Sequence, residues 1–369
     1  MNASPPPIRV VACGALTAFG DEDETLRALL DGRRALQMSP VLGGDGGDEV
    51  PLALCPGRSL DETQPPNWLS FIHRLADRIP GAGWGEARRP IFVTSSNFGV
   101  GSLHAYRRDG DPGHLAFGTP FRCVNELRRE LDWGPDITTL SHACVSAHLG
   151  LMQAAQVLAA GLADEVLVFS FDFLSPFVAG GFHSLKILNN AFPAPYHAGD
   201  TGSIGLGDGA AFAILARDRG EFIISEQNLY NEMHHFTANR VDGAGFSACL
   251  APLRQPAAGR RLWLKGHGTG TLEAGRLESE TLARHFPEAP LVSWKGSLGH
   301  TLGSCGLVEL ALAIAAIRGG QIPGTVGGRD PSFTDCVQLD SFSSADFDAV
   351  LCASNAFGGA HAAFLLSHA

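Results

Sequence analysis

The sequence has no closely spaced cysteines. Its eight cysteines stand singly along the chain, and none belongs to a Cys-x-x-Cys pair. A disulfide framework or a zinc knuckle needs clustered cysteines, so the spacing indicates neither. We interpret them as small core residues of a reducing compartment, and only Cys144 requires separate treatment. The eight are Cys13, Cys55, Cys123, Cys144, Cys249, Cys305, Cys336 and Cys352.

The chain also lacks an excess of positive charge. Lysine and arginine number 27 against 38 aspartates and glutamates, which gives a formal net charge of −11. Nucleic-acid binding depends on clustered basic residues that neutralise phosphates, so this balance argues against a nucleic-acid partner. A local basic patch stays open, although adjacent arginines usually lie on a solvated surface. The adjacent pairs are Arg88 with Arg89, Arg107 with Arg108, and Arg128 with Arg129.

No segment has the pattern of an export signal or of a membrane span. The N-terminal residues contain no basic region followed by an apolar stretch and a cleavage site. Residues 302–317 are the most apolar helical stretch, but Glu309 interrupts it and Arg318 ends it before the about 20 residues that a bilayer requires. We therefore expect a cytoplasmic protein in which this stretch is a buried helix.

Strand-like and helix-like segments alternate, which predicts an α/β fold with helices layered around largely buried sheets. The clearest unit is a strand, a sharp turn, a helix and a second strand, which predicts a βαβ module with parallel strands. Its segments are residues 137–140, 141–144, 145–160 and 165–171.

Outside this unit the pattern gives coarser predictions. Residues 39–66 are rich in Gly, Pro and Asp, so we expect a loop with little regular structure there. Residues 295–299 read as a turn between a strand and the apolar helix. A boundary near residue 217 divides the chain into two halves of similar style, 1–217 and 218–369.

Cys144 is a candidate nucleophile because it falls at the predicted start of a helix. Aligned peptide dipoles and unpaired N–H groups stabilise negative charge there, so its thiolate is expected to be favoured. The alternative is a buried and unreactive helix start. Position alone leaves both interpretations open.

Two histidines stand in glycine-rich turns, His267 in Gly-His-Gly-Thr-Gly-Thr and His300 in Gly-His-Thr-Leu-Gly. Glycines let backbone and ligand approach closely, and turns after strands collect functional groups in α/β folds. Lys295 ends a strand, and Glu309 lies in an apolar helix where a carboxylate requires a partner. Structural histidines and a structural ion pair are the alternatives.

Two other kinds of site are rejected. The glycine-rich segment 205–209 precedes a strand-like run and not a helix, which is the wrong context for a dinucleotide loop. Histidines at 142, 148, 267 and 300 include no His-Glu-x-x-His pair and no cysteine cluster with metal-ligand spacing. We therefore predict no metal site.

Together the ordered motifs resemble the β-ketoacyl-acyl carrier protein synthase family, over nearly the whole chain. The opening segment resembles the first strand and turn of that family, and Ala-Cys before a small-residue helix resembles its nucleophile elbow. Two histidine motifs and a C-terminal glycine loop follow in the same order. The five segments are residues 10–20, 143–144, 266–271, 295–306 and 355–359.

The resemblance implies a thiolase-like, five-layered αβαβα fold built from two similar halves. It implies that Cys144 carries an acyl group, and that His267 and His300 donate hydrogen bonds to a malonyl thioester. By the same resemblance, Lys295 and Glu309 hold His300 in place. Two histidines point to the elongating type, which accepts malonyl on a carrier protein.

The resemblance also implies supporting roles and partners. The N–H groups of Cys144 and Phe357 would form an oxyanion hole, Phe357 would gate the pocket, and Thr269 and Thr271 would contact the pantetheine arm. Phosphopantetheine would arrive on an acyl carrier protein, so no cofactor of the chain itself is expected. The family implies a homodimer, or a heterodimer with a related subunit.

Four positions depart from the family pattern, although Glu278 is kept. An acidic residue is usual where Gly275 stands, glycine where Ala356 stands, and phenylalanine where Asn355 stands. Val145 follows the nucleophile in place of a smaller residue. These changes concern the acyl pocket more than the reaction, and they favour a specialised fatty-acid, polyketide or aryl-polyene pathway.

Two alternatives are kept. A non-catalytic partner subunit resembling a chain-length factor would share the fold, but such partners typically lose the nucleophilic cysteine. A hydrolase or acyltransferase using Cys144 and one histidine would leave the second histidine and Lys295 without a role.

Overall fold

The computed structural model describes residues 7–41, 48–199, 202–235 and 238–369. The strands in these ranges are β1 (Ile8–Thr17), β2 (Gly20–Asp21), β3 (Gln37–Pro40), β4 (Glu49–Ala53), β5 (Ile91–Thr94), β6 (Ile137–Leu140), β7 (Glu165–Asp172), β8 (Leu206–Gly207), β9 (Gly209–Ala216), β10 (Phe222–Asn231), β11 (Leu262–Lys265), β12 (Leu291–Val292), β13 (Gln321–Ile322), β14 (Phe342–Ser343), β15 (Ala349–Ala356) and β16 (Ala360–His368).

The helices of the same ranges are α1 (Glu22–Leu30), α2 (Leu69–Ala76), α3 (Val100–Asp109), α4 (Pro120–Glu130), α5 (Ser146–Ala159), α6 (Pro176–Ser184), α7 (Ala244–Leu250), α8 (Arg254–Ala257), α9 (Leu272–His285), α10 (Lys295–Leu298) and α11 (Cys305–Gly319). Short 3₁₀ turns are present at Pro112–Ala116, Ala251–Leu253 and Leu302–Ser304.

Eleven of the described strands form one large sheet with an internal symmetry, while β13 pairs with β14 and β3, β4 and β8 form a third sheet. The order of the large sheet is β12-β11-β15-β16-β10-β1-β9-β7-β5-β6, and β2 pairs with β1. If the five strands of each half are numbered in chain order, both halves read 3-2-4-5-1 from the outer edge inward. The halves meet where β1 and β10 pair antiparallel, with Ile8 opposite Ile224. The two halves therefore share one topology.

Core packing arranges the helices in layers around this sheet. The largest apolar cluster buries α5 and α11 between strands of both halves, with Leu151 and Leu310 among its members. A second cluster packs α2 and α4 on the outer face of the first half, through Ile72 and Leu127. A third packs α7 and α9 on the outer face of the second half. The strands of each half count as one sheet layer. Helix, sheet, helix, sheet and helix then make the five expected layers.

The expected βαβ unit is present with one difference. Strands β6 and β7 are parallel, but each pairs with β5, which lies between them. Local pattern cannot reveal this, because β5 comes from a distant part of the chain. Strand β9 ends at Ala216 and β10 begins at Phe222. The division into domains 1–217 and 218–369 stays a prediction.

Two local predictions are wrong. The segment 39–66 contains the end of β3 and all of β4, which pair antiparallel; its residues 42–47 lie outside the described ranges. The predicted turn at 295–299 is mostly the short helix α10. Glycine and proline content indicated loop in the first case, but pairing with distant strand β8 stabilises β4.

Residues Leu302–Gly319 are long and apolar enough to cross a membrane by length and composition, yet 83% of this stretch is buried inside the fold. It is the central helix α11 with the 3₁₀ turn before it. The sequence predicted a buried helix here, and the packing of α11 confirms it.

Candidate active site

The nucleophile turn between β6 and α5 is held in an unusual backbone conformation. Ala143 has a φ of +46°, a region that residues with a side chain rarely occupy. The hydroxyl of Ser146 stabilises the turn, since it accepts a hydrogen bond from the His142 N–H at 2.7 Å and donates to the Ala143 carbonyl at 2.7 Å. Cys144 follows Ala143 directly and comes just before α5.

The side chain of Cys144 is enclosed by both halves of the molecule. It is only 8% exposed and packs with Ala356 and Ala360, the residues that flank the loop between β15 and β16. The Nε2 atom of His300 lies 3.0 Å from its sulfur. Residues of the first half, the second histidine motif and the C-terminal hairpin therefore meet around the sulfur of Cys144.

The hydrogen bonding of His300 determines where its proton lies. The backbone N–H of Leu302 donates to the Nδ1 atom at 3.2 Å, so Nδ1 carries no proton. In the neutral ring the proton is then on Nε2, which points at the sulfur of Cys144. His300 is thus oriented as a hydrogen-bond donor to the substrate side of the site.

His267 lies beside His300, with ring centroids 4.8 Å apart and planes at 88°. A buried carboxylate holds its turn, because Glu278 accepts from the His267 N–H at 2.5 Å and from the Gly268 N–H at 2.7 Å. The Tyr196 hydroxyl donates to the same carboxylate at 3.1 Å. Gly268 has a φ of +36°, which a glycine tolerates best.

A buried cluster of charges supports the two histidines. Lys295 is ion-paired with Oε1 of Glu309, as the sequence led us to expect. Lys265 pairs with the same oxygen at 2.8 Å, and sequence reasoning missed it. A signal was available, because the sequence has only three lysines and Lys265 stands two residues before His267.

The electrostatics of the site keep both imidazoles neutral. Burial lowers the pKa of His267 and of His300 well below the ordinary value, and the ammonium of Lys295 lowers both further. The charges of the cluster are themselves balanced. Burial works against ionisation of Glu309, but the two lysines hold the pKa of its carboxyl below the ordinary value.

The expectation for Cys144 requires a correction. Burial raises the pKa of its thiol, and only the Lys295 charge and a backbone hydrogen bond act in the opposite direction. The thiolate is therefore not favoured at rest, contrary to the prediction from the helix terminus. Desolvation outweighs the dipole because the sulfur lies inside the protein.

The remaining predicted residues lie around this centre. Phe357 is in the three-residue loop between β15 and β16, and its ring stacks on Phe182 with centroids 5.8 Å apart. Thr269 and Thr271 are half-buried in the segment after His267, and Thr271 directly precedes α9. Their roles stay predictions, as do those of the other site residues.

The departure at Asn355 has a structural counterpart. The side-chain oxygen of Asn355 lies 2.7 Å from Nδ1 of the buried His361, so a polar contact replaces the usual phenylalanine beside the hairpin loop.

Among the described residues, no group of three or more His, Cys, Asp or Glu side chains is arranged to hold a metal ion. His142 instead contacts Asn231 at 2.9 Å.

Comparison with known sequences gives a consistent result. Residues 262–329 match the family model described as beta-ketoacyl synthase, C-terminal domain. The chain is 27% identical over 336 residues to 3-oxoacyl-[acyl-carrier-protein] synthase 2 of Coxiella burnetii, covering 84% of this chain and 78% of that protein. It is 28% identical over 270 residues to the ketoacyl synthase alpha subunit of the tetracenomycin polyketide synthase of Streptomyces glaucescens, covering 65% and 62% respectively.

Solved structures show the same fold. A beta-ketoacyl synthase from Burkholderia phymatum superposes with a TM-score of 0.83 at 20% identity, covering 99% of this chain and all of that one. A chain of the complex between the ketosynthase ApeO of Xenorhabdus doucetiae and its chain length factor ApeC matches with a TM-score of 0.81 at 22% identity, covering all of both chains. These matches confirm the thiolase-like fold. The family-model match over residues 262–329 and the relatives at 27% and 28% identity show that this chain is similar in sequence to β-ketoacyl synthases.

Proposed function

We propose that this chain is a ketosynthase that condenses an acyl group on Cys144 with a malonyl unit by decarboxylative Claisen condensation. One observation carries the proposal: the Nε2–H of His300 faces the sulfur of Cys144 at 3.0 Å, and the ring of His267 lies beside it. The condensation requires a nucleophile and two neutral hydrogen-bond donors, whereas hydrolysis requires a nucleophile and one base. The arrangement of Cys144, His267 and His300 therefore suits the condensation better.

In the first step Cys144 attacks the thioester carbonyl of an acyl donor. The new carbon–sulfur bond forms as the donor's bond breaks, and the proton of the Cys144 thiol leaves with the pantetheine thiol. Because burial raises the pKa of Cys144, the hydrogen bond from His300 stabilises the charge that develops on sulfur. The N–H groups of Cys144 and Phe357 are proposed to bind the carbonyl oxygen.

In the second step a malonyl thioester occupies the site. Its carboxylate leaves as carbon dioxide, and the electron pair of the broken carbon–carbon bond becomes an enolate. His267 and His300 donate hydrogen bonds to the enolate oxygen. The enolate carbon then attacks the acyl group, and Cys144 leaves as a thiolate, which releases a β-ketoacyl product.

The histidines suit this second step because they are neutral. Each neutral ring has a single N–H, and that of His300 is fixed on Nε2 by Leu302. Lys295 and Glu309 are proposed to hold His300 in place, and Thr269 and Thr271 to contact the pantetheine arm.

An acyl carrier protein is the proposed partner, since both substrates are thioesters on a phosphopantetheine arm. Similar solved structures support this choice, because one is a complex of a ketosynthase with its type II polyketide synthase acyl-carrier protein and another is a complex of a ketosynthase with its chain length factor. We therefore propose a dimer, formed either with a second copy or with a related subunit. A specialised pathway, such as polyketide or aryl-polyene synthesis, is proposed over general fatty-acid elongation.

Intact-mass spectrometry tests the proposal. The protein is mixed with a panel of acyl-carrier proteins and then with malonyl-carrier protein, beside Cys144→Ala and the control Cys336→Ala, whose thiol is far from the site in the chain and contacts Thr334. We expect wild type and Cys336→Ala to gain an acyl mass that Cys144→Ala does not gain. When malonyl-carrier protein is added, the protein should lose this acyl mass and a β-ketoacyl product should appear.

The outcome that overturns the proposal is also specific. If no donor acylates wild type, alone or with a candidate partner subunit, the chain is a non-catalytic partner of the chain-length-factor kind. If an acyl mass forms and water removes it without malonyl, the chain is a hydrolase.

A further inference from the structure

Lys265 is a buried lysine to which the proposed reaction assigns no role. It ends β11, two residues before His267, and its side chain is completely buried. Burying an ammonium group costs free energy unless it is paired and hydrogen-bonded. A residue of this kind is retained at a site only where its contacts compensate for the cost.

The contacts of Lys265 connect both histidine motifs. Its Nζ atom donates to the Gly266 carbonyl at 2.6 Å, directly before His267. It pairs at 2.8 Å with Oε1 of Glu309, the oxygen that also holds Lys295. It also lies 5.5 Å from the centre of the Trp294 ring, next to Lys295. One ammonium group thus ties the turn of the first histidine to the charge cluster of the second.

The cluster places two lysines against one carboxylate, and the second oxygen of Glu309 has no hydrogen-bond partner among the described residues. Burial lowers the pKa of Lys265, and the carboxylate of Glu309 opposes that shift. The titratable groups that face the cluster come from several elements. They are His148 of α5, Glu278 of α9, Cys305 of α11, Cys352 of β15, and the two site histidines.

Of these neighbours, only Glu278 can carry a negative charge that balances the second lysine. Burial lowers the pKa of His148 to about 4, so that ring is neutral at ordinary pH. Burial raises the pKa of the thiols of Cys305 and Cys352. Glu278 is the remaining acid, and the N–H groups of the His267 turn engage it.

We propose that Lys265 is a positioning residue for the malonyl half-reaction: it fixes the His267 turn through Gly266, shares Glu309 with Lys295, and adds a second positive charge behind the histidines. This inference rests on the proposed function and extends it to a residue outside the expected motifs. The added charge stabilises the enolate, which is the anion formed in that half-reaction, and it keeps both imidazoles unprotonated.

Three variants separate charge from packing. Lys265→Gln keeps a hydrogen-bond donor without the charge, Lys265→Met removes both, and Lys265→Arg keeps the charge. Lys186→Met is the matched control, because Lys186 is the remaining lysine and is exposed. Thermal unfolding of each variant identifies any that fail to fold, and Lys265→Gln is the variant expected to fold best.

The acylation and condensation rates are measured separately with carrier-protein substrates. We expect Lys265→Gln to acylate Cys144 within about threefold of wild type and to condense about tenfold more slowly, the usual size of one lost charged contact. Lys265→Met should be slower still, and Lys265→Arg should recover part of the rate. The KM for malonyl-carrier protein should change little, because Lys265 acts behind the histidines.

Histidine NMR gives a readout that does not depend on turnover. We expect the titrations of His267 and His300, assigned with His→Asn variants, to move to higher pH in Lys265→Gln, because removing a nearby cation makes imidazolium less unfavourable. Lys186→Met should leave them unchanged.

Each result is decisive. Equal losses in acylation and condensation, or unchanged condensation and unchanged histidine titrations in Lys265→Gln, overturn the positioning role. If wild type acylates and condenses while the Lys265 variants behave like wild type, only this inference fails. If wild type never forms an acyl adduct, the proposed function itself fails.

Discussion

The Nε2 atom of His300 lies 3.0 Å from the Sγ atom of Cys144, although the two residues are 156 positions apart in the chain. This contact crosses the boundary between the two halves of the fold. It is possible because α5 and α11, which follow the two residues, pack side by side in the central layer. The proposed active site is therefore a product of how the halves pack together.

His300→Ala removes the donor that faces the sulfur. We expect condensation to fall by about a hundredfold or more, the usual effect of deleting a donor to a developing oxyanion, and acylation of Cys144 to fall much less. Stopped-flow or quenched-flow mass spectrometry resolves the two steps. His73→Ala is the control, since that half-exposed ring lies 3.5 Å from the half-exposed Glu130 and belongs to helix α2, away from the proposed site. Equal rates in His300→Ala and wild type would contradict the proposed role.

Ser146→Ala tests the nucleophile turn. The hydroxyl bridges His142 and Ala143, and Ala143 has positive φ. We expect loss of this bridge to lower the acylation rate about tenfold, as for about 1.4 kcal/mol of lost positioning. Ser146→Thr should keep the bridge. The measurement is the rate at which the protein gains the acyl mass. If both variants match wild type, this interpretation is wrong.

Arg107 and Arg108 are the arginine pair that we expect to dock an acidic carrier protein, and Arg108 also pairs with Asp61 at 4.0 Å and Asp109 at 3.5 Å. They line a surface groove of about 600 Å³ beside Phe177, whose ring is 54% exposed. We expect reversal of both charges to raise the KM for acyl carrier protein about tenfold and to leave kcat nearly unchanged, because charges at the rim of an interface act mainly on association. Steady-state kinetics at low and high salt measures the effect.

The other arginine pairs provide the comparison. Arg88 is paired with Asp164, Arg89 with Glu165 and Arg129 with Glu126. Reversal of Arg128 and Arg129 is the matched control. If reversing each pair in turn leaves the KM unchanged, none of them docks the carrier protein.

We expect the carboxyl of Glu62 to make the stability of the fold depend on pH. Burial raises the pKa of Glu62 to about 7 from its ordinary 4.5. The folded state therefore binds this proton more tightly than the unfolded chain, and the contribution of Glu62 to stability is lost as pH rises from 4.5 through 7. Glu62→Gln imitates the protonated form, so it should equal wild type near pH 4.

Above pH 7 the variant should be more stable, by about 3 kcal/mol. Urea unfolding of both proteins at a series of pH values measures the difference. Glu86→Gln, at an exposed position, is the control for losing one carboxylate. A stability difference that does not vary between pH 4 and 8 would rule out the assigned cause.

Much of the site could be predicted from local sequence because its residues lie at strand and helix ends. Glycines at positions 266, 268, 270 and 299 mark turns that accept positive φ or close packing, and three of these four have positive φ in the structure. The buried helix α11 was likewise visible, because a long apolar stretch with a single charged residue is typical of a helix in the core. The ordered motifs then indicated the family.

Packing decided what those patterns could not show. The sequence placed Lys295 near Glu309, but only the pairing of β11 with β15 and the position of α11 bring Lys265 to the same carboxylate. It also predicted an easily ionised Cys144, whereas burial between the halves raises the pKa of that thiol. Turns and helices follow from neighbouring residues. Burial, charge sharing and strand order depend on segments far apart in the chain, so only the tertiary structure determines them.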